Sequence, residues 1–139
     1  MKKLLLVLTA SFVTSLVSAA TGDQLWKMTL ESNIGSSPAV DGGKVFIGSV
    51  DGMLYALNET SGAVIWFKDI GSHIAVTPAV SPDGNSLYVG TYDGRLLSMK
   101  TSDGSIQWAF ATGEAVYASP AISADGSRVF TGSNDNNIY

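Results

Sequence analysis

Val45-Phe46-Ile47-Gly48-Ser49-Val50-Asp51-Gly52-Met53-Leu54-Tyr55-Ala56-Leu57-Asn58 reads as two β-strands joined by a tight reversal. Apolar and β-branched residues run on either side of Asp51-Gly52, and an Asp-Gly pair between such runs signals a hairpin. The expectation is a two-residue turn in which both central residues take positive φ, Gly doing so without steric cost. The pattern returns as Ser86-Leu87-Tyr88-Val89-Gly90 before Asp93-Gly94, and again as Val129-Phe130-Thr131-Gly132-Ser133 before Asp135-Asn136. Asn136 takes the Gly place in the third copy, and Asn tolerates the left-handed region better than most residues.

Working outward, Trp26, Trp66 and Trp108 lie 40 and 42 residues apart, and Pro38, Pro78 and Pro120 show the same two intervals. Gly48, Gly90 and Gly132 recur at 42, each followed three residues later by Asp51, Asp93 or Asp135. The shorter first interval falls at Asp41-Gly42-Gly43, where the next unit has Ser81-Pro82-Asp83-Gly84-Asn85, so a loop tip absorbs the difference. In the second unit, strands are expected over 77–81, 86–92, 95–101 and 106–112. Short antiparallel strands repeating at this period match a β-propeller blade. A lone blade cannot bury both of its faces, so each must stack on copies of itself. The expected fold is all-β: a partial β-propeller of about three four-stranded antiparallel blades, with units of about 22–61, 62–103 and 104–139, the last incomplete. Trp26, Trp66 and Trp108 are expected at the blade-to-blade contacts, each indole N–H seeking an acceptor.

The run from Val45 through Asp51-Gly52 and Leu54-Tyr55-Ala56-Leu57 to Gly62-Ala63-Val64-Ile65-Trp66 resembles the pyrroloquinoline quinone (PQQ)-like repeat family. The second unit is similar through Leu87-Tyr88-Val89-Gly90, Asp93-Gly94, Gly104 and Trp108, with Ser98 and Lys100 in place of the usual Ala and acidic or amide residue. The resemblance implies a propeller in which Ala56, Gly62 and Gly104 join the tryptophans as packing residues, and Asp51, Gly52, Asp93, Gly94, Asp135 and Asn136 form turns. It implies two kinds of activity. Quinoprotein alcohol dehydrogenases of this family hold PQQ and calcium, whereas outer-membrane assembly factors are non-catalytic and bind a partner through blade loops. The dehydrogenases' adjacent-Cys disulfide has no counterpart here, and their calcium ligands and catalytic Asp are placed on no residue of this chain. The missing Cys also departs from the lipoprotein form usual for the assembly factors.

Composition narrows the chemistry. The 139 residues are 45% hydrophobic and 14% charged, with 15 Gly and no Cys, the profile of a globular chain. Zero Cys excludes disulfides, thiolate metal sites and thiol catalysis, and the single His73 excludes multi-His metal centres. Twelve acidic residues against eight basic ones, two of which are Lys2 and Lys3, argue against a nucleic-acid partner. Lys2-Lys3, the apolar run from Leu4 to Val17 and the small residues Ser18-Ala19-Ala20 form the three parts of a signal peptide over 1–20. That run is interrupted by Thr9, Ser11, Thr14 and Ser15 and is too short for the ~20 apolar residues of a membrane span. A periplasmic or secreted product without stable membrane insertion is therefore expected.

No residue stands out as catalytic, cofactor-binding or metal-ligating. Asp51, Asp93 and Asp135 could form an acidic rim, but each opens a turn, where Asp hydrogen-bonds locally. Asn134-Asp135-Asn136-Asn137 lacks the closing Glu of a calcium loop. His73 has no nucleophile recognisable by motif, and Asn58-Glu59-Thr60 is a glycosylation triplet that would matter only in a eukaryotic source. The loops over 31–36, 71–76 and 113–118 occupy equivalent places and vary most, which makes them the expected partner contact. Residues 24–30 read as the last strand of a preceding blade. Three blades leave open faces, so the chain is expected to be part of a longer propeller, with two chains forming one ring as the rival. The function expected is an exported, non-catalytic protein-binding or scaffolding module. The alternative is a fragment of a PQQ-dependent alcohol or sugar dehydrogenase, and PQQ and calcium are expected only in that case.

Overall fold

The structure, a computed structural model, describes residues 22–139; the signal peptide expected over 1–20 lies outside the described residues. The first sheet contains β1 (Ala39–Asp41), β2 (Lys44–Gly48), β3 (Met53–Asn58) and β4 (Val64–Asp69) in the order β1-β2-β3-β4. The second repeats it with β5 (Ala79–Val80), β6 (Ser86–Gly90), β7 (Arg95–Lys100) and β8 (Ile106–Ala111), again in chain order. The third pairs β9 (Ala121–Ile122) with β10 (Val129–Phe130) and continues through a bridge between Gly132 and Ile138. All pairings are antiparallel. No helix of the described residues is long and apolar enough to cross a membrane.

These sheets are successive blades of a β-propeller. β1 and β5, the first strands of adjacent blades, approach each other. Sheet boundaries at Ala39–Asp69 and Ala79–Ala111 have a different phase from units counted at residue 22, because a periodic chain can be divided at any point of its repeat. Residues 24–30 carry no strand assignment, yet Met28 and Trp26 pack against Val45, Ile47 and Leu57 on one face of the first sheet.

Successive side chains of a strand point to opposite faces, so a blade covered on both sides reads as an apolar run rather than an alternation. In β2 and β3, Phe46, Leu54 and Ala56 point towards the second blade while Val45, Ile47 and Leu57 point away from it. Across the seam the second blade supplies Leu87, Val89, Leu97 and Met99, all fully buried. The other face of the second blade carries Trp108 and Phe110, which are 41% and 44% exposed beside the smaller third sheet. A shallow apolar groove runs there between Leu96, Trp108 and Phe110 on one side and Val129 and Tyr139 on the other.

The hairpin turns correct one expectation. Ser49 N–H donates to the Met53 carbonyl (2.8 Å) and Gly52 N–H to the Ser49 carbonyl (3.1 Å), leaving three residues in the loop. Positive φ occurs at Gly52 (90°), Gly94 (82°) and Asn136 (69°) but not at the preceding Asp residues. This is a turn followed by one left-handed residue, the three-residue alternative to the two-residue hairpin. The two-residue turn with positive φ at both centres lies instead at Gly42 (54°) and Gly43 (74°), where Asp41 pairs with Lys44. The extra loop residue comes from Val50, Tyr92 or Asn134, whose amides donate to carbonyls of the inter-blade loops.

Candidate interaction surface

The tryptophans occupy a repeated socket. Trp26 Nε1–H donates to the Glu59 carbonyl (2.8 Å), and Trp66 Nε1–H donates to the Thr101 carbonyl (3.0 Å) 42 residues further on. A Cβ at Gly62 would lie 2.6 Å from the Trp26 ring, and one at Gly104 would lie 2.8 Å from the Trp66 ring. Each indole therefore lies against a glycine that no other residue could replace without displacing it. Ala56 is opposite both Phe46 and Trp66, whose rings sit 6.0 Å apart across it. Ser98 holds the equivalent place between Tyr88 and Trp108, and its hydroxyl donates to Gln107 Oε1 (2.9 Å). Trp108 thus keeps the register of Trp66, but among the described residues no glycine stands against it as Gly62 and Gly104 stand against the other two.

The turn aspartates are all engaged by neighbouring groups. Asp51 Oδ1 accepts the Met53 amide (3.0 Å). Asp93 accepts from the Thr91 hydroxyl and pairs with Arg95 (2.7 Å), whose guanidinium also donates to the Ile70 carbonyl (3.1 Å). Partial burial raises the Asp93 pKa, but hydrogen bonds from Arg95 and Thr91 outweigh it and leave the carboxyl below its ordinary range. Asp135 accepts from the Gly113 amide (2.7 Å), the Asn137 amide (3.0 Å) and the Tyr139 hydroxyl (2.7 Å). Desolvation opposes these bonds and they prevail, holding its pKa at about 2. Asp83 and Asp125, at the opposite end of the blades, also lie at about 2, chiefly through the Ser81 and Ser123 hydroxyls.

A pH dependence follows from Asp83 and Asp125. Because folding lowers their pKa from 3.8 to about 2, the stability they contribute is complete above about pH 4 and is lost as pH falls towards 2. Thermal melts across this window should show a falling Tm, and the Asp83→Asn/Asp125→Asn chain should show a shallower fall. An unchanged slope would contradict the assignment.

The inter-blade loops are fastened at both sides. The Ile74 amide donates to the Ser49 carbonyl of the first blade's turn (3.2 Å), and the His73 carbonyl accepts the Tyr92 amide of the second (3.0 Å). One repeat on, the Val116 amide reaches the Thr91 carbonyl (3.0 Å) and the Ala115 carbonyl accepts the Asn134 amide (2.9 Å). Ile74 and Val116 are buried in the space left by Gly48 and Gly90, where an added Cβ would overlap their side chains. These glycines were legible as markers, but their purpose, seating a loop side chain, was not. Loop residues so held are displayed on a rigid frame.

On this frame stands an aromatic row that periodicity could not reveal, because it does not repeat. The His73 and Tyr92 rings are 5.5 Å apart, and Tyr92 meets Tyr117 edge-on at 5.6 Å. Tyr92 is 54% and Tyr117 51% exposed. A large exposed side chain at a place held by Val50 in the first unit and Asn134 in the third was the available signal. The other residues singled out are dispersed. Asn58 Oδ1 accepts the Thr60 and Ser61 amides (3.0 and 2.9 Å), and Lys100 is exposed beside a distant turn. Asp51, Asp93 and Asp135 lie on separate turns, and no three His, Asp or Glu among the described residues converge where a metal could bind.

The fold and this surface can be set beside known proteins. The crystal structure of BamB from Moraxella catarrhalis is similar at 26% identity with a TM-score of 0.73, over 83% of this chain and 35% of that one. The chain thus spans about a third of that structure's length. No curated protein matches it. The family model described as outer membrane protein assembly factor BamB matches residues 10–139, and with that coverage the chain belongs to this family of PQQ-like repeat propellers.

Proposed function

We propose that the chain is an exported, non-catalytic protein-binding module that takes part in outer membrane protein assembly. The observation that carries this reading is how the repeated polar groups are used. The Trp26 and Trp66 indole N–H groups cap carbonyls of the next blade, Asp51 and Asp135 accept backbone amides and Asp93 is paired with Arg95, so these repeated positions serve the scaffold. What varies on that scaffold is the set of loops stitched between blades, and variable loops on a fixed frame are suited to recognising another protein. The assembly role follows the family and its M. catarrhalis relative.

The test is genetic. Cells lacking the chain should contain less folded outer-membrane β-barrel protein, measured by heat-modifiable mobility, and the full chain should restore it. Unchanged levels would overturn the assembly role. Dye-linked oxidation of alcohols or sugars by the purified chain with added PQQ and calcium should stay at background, and turnover would overturn the non-catalytic reading.

A further inference from the structure

The blade ends that carry the stitched loops also carry Glu31, Asp51, Asp69, Asp93, Glu114 and Asp135. Lys68, near the end of β4, and Arg95, which Asp93 holds, are basic residues close to that end. The aromatic row lies within this acidic setting. Ser72 Oγ accepts the Asp93 amide (3.0 Å) beside His73, Gly52 of the Asp51 turn abuts the Ser72 backbone, and Glu114 precedes Tyr117 in the same loop. We propose that Tyr92, Tyr117 and His73, set between the acidic residues Asp51 and Glu114, form a seat for an arginine-bearing loop of a partner protein.

Charge and ring chemistry select this occupant. Half-exposed tyrosine rings offer electron-rich faces to a cation, and the neighbouring carboxylates favour a positive partner. A purely apolar partner would strip water from the Asp51 and Glu114 carboxylates without pairing them, and an anionic one would be repelled. Guanidinium meets both features, because it is planar, weakly hydrated and able to stack while it pairs. Lysine ammonium is a strongly hydrated point charge and serves the carboxylates better than the rings. The proposal rests on the protein-binding reading above and specifies the chemistry of its contact.

The experiment uses the full chain and two fluorescent peptides of equal length and charge, one with arginines spaced by Gly and Ser, the other with lysines at the same places. Anisotropy titrations should show the arginine peptide binding several-fold tighter. Tyr92→Ala and Tyr117→Ala should each weaken it by about tenfold, while Tyr92→Phe, which keeps the ring, should bind nearly as the parent does. Near-ultraviolet circular dichroism and melting curves confirm that the variants fold. Equal binding of both peptides with no response to ring removal would reduce the effect to net charge and overturn the proposal, as would no binding at all. In cells, a Tyr92→Ala/Tyr117→Ala chain that restores outer-membrane protein levels fully would sink the seat while sparing the assembly role. Ring-dependent arginine binding by a chain whose loss leaves those levels unchanged would do the reverse.

Discussion

Trp66→Ala will cost about 3–5 kcal/mol of folding stability, the range for emptying a buried aromatic site. Trp66 is 9% exposed, packs on Phe46 at 6.0 Å and lies against Gly104 of the next blade. Removing it opens a void at the seam between the two complete blades, and the Thr101 carbonyl loses the indole N–H that it accepts at 3.0 Å. Single domains hold only about 5–15 kcal/mol in total, so the variant should be close to unfolding in mild urea. Trp66→Phe keeps most of the ring but not the donor, and should cost about 1–2 kcal/mol. Trp108→Ala is the control. That residue has the same place in its strand but is 41% exposed, so its removal should cost well below half as much. Urea midpoints for the three variants decide the matter, and equal losses for Trp66→Ala and Trp108→Ala would refute the socket as the source of stability.

This contrast marks how far the sequence could be read. The spacing of Trp26, Trp66 and Trp108 announces a seam because the demand it meets, a large ring against the next copy, recurs in every unit. It does not announce that Trp108 is half exposed, since that depends on how much sheet stands beside it. Turns at Asp51-Gly52 and Asp93-Gly94 were legible as reversals, yet their length was not. The third loop residue is fixed by backbone bonds such as Tyr92 N–H to the His73 carbonyl, and backbone bonds leave no mark on residue identity. The same holds for the stitched loops, which were expected to matter because they vary but whose rigidity comes from main-chain partners on two blades. Tyr117 falls in the 113–118 loop expected to touch a partner, but its meeting with Tyr92 is not written in the repeat, because neither ring recurs at the equivalent places of the other units.

Gly104→Ala will be nearly as damaging as losing the tryptophan, for two separable reasons. Gly104 has φ of +71°, in the left-handed region where an L-residue costs about 1–2 kcal/mol. Its new Cβ would also stand 2.8 Å from Trp66 Cε3 and Cζ3, so the ring must shift, an overpacking penalty of about 1–3 kcal/mol. Gly71→Ala isolates the first cause, because Gly71 has φ of +75° and an added methyl there would meet nothing within 4 Å. The difference between the two losses measures the socket. A double-mutant cycle gives a second measure: once Trp66→Ala has removed the ring, Gly104→Ala should retain only its conformational cost, a coupling of about 1–3 kcal/mol. Additive losses, or Gly71→Ala matching Gly104→Ala, would mean that the indole and the glycine do not bear on one another. Blade-to-blade contact would then have to be ascribed to the aliphatic rows of Leu87, Val89, Leu97 and Met99 alone.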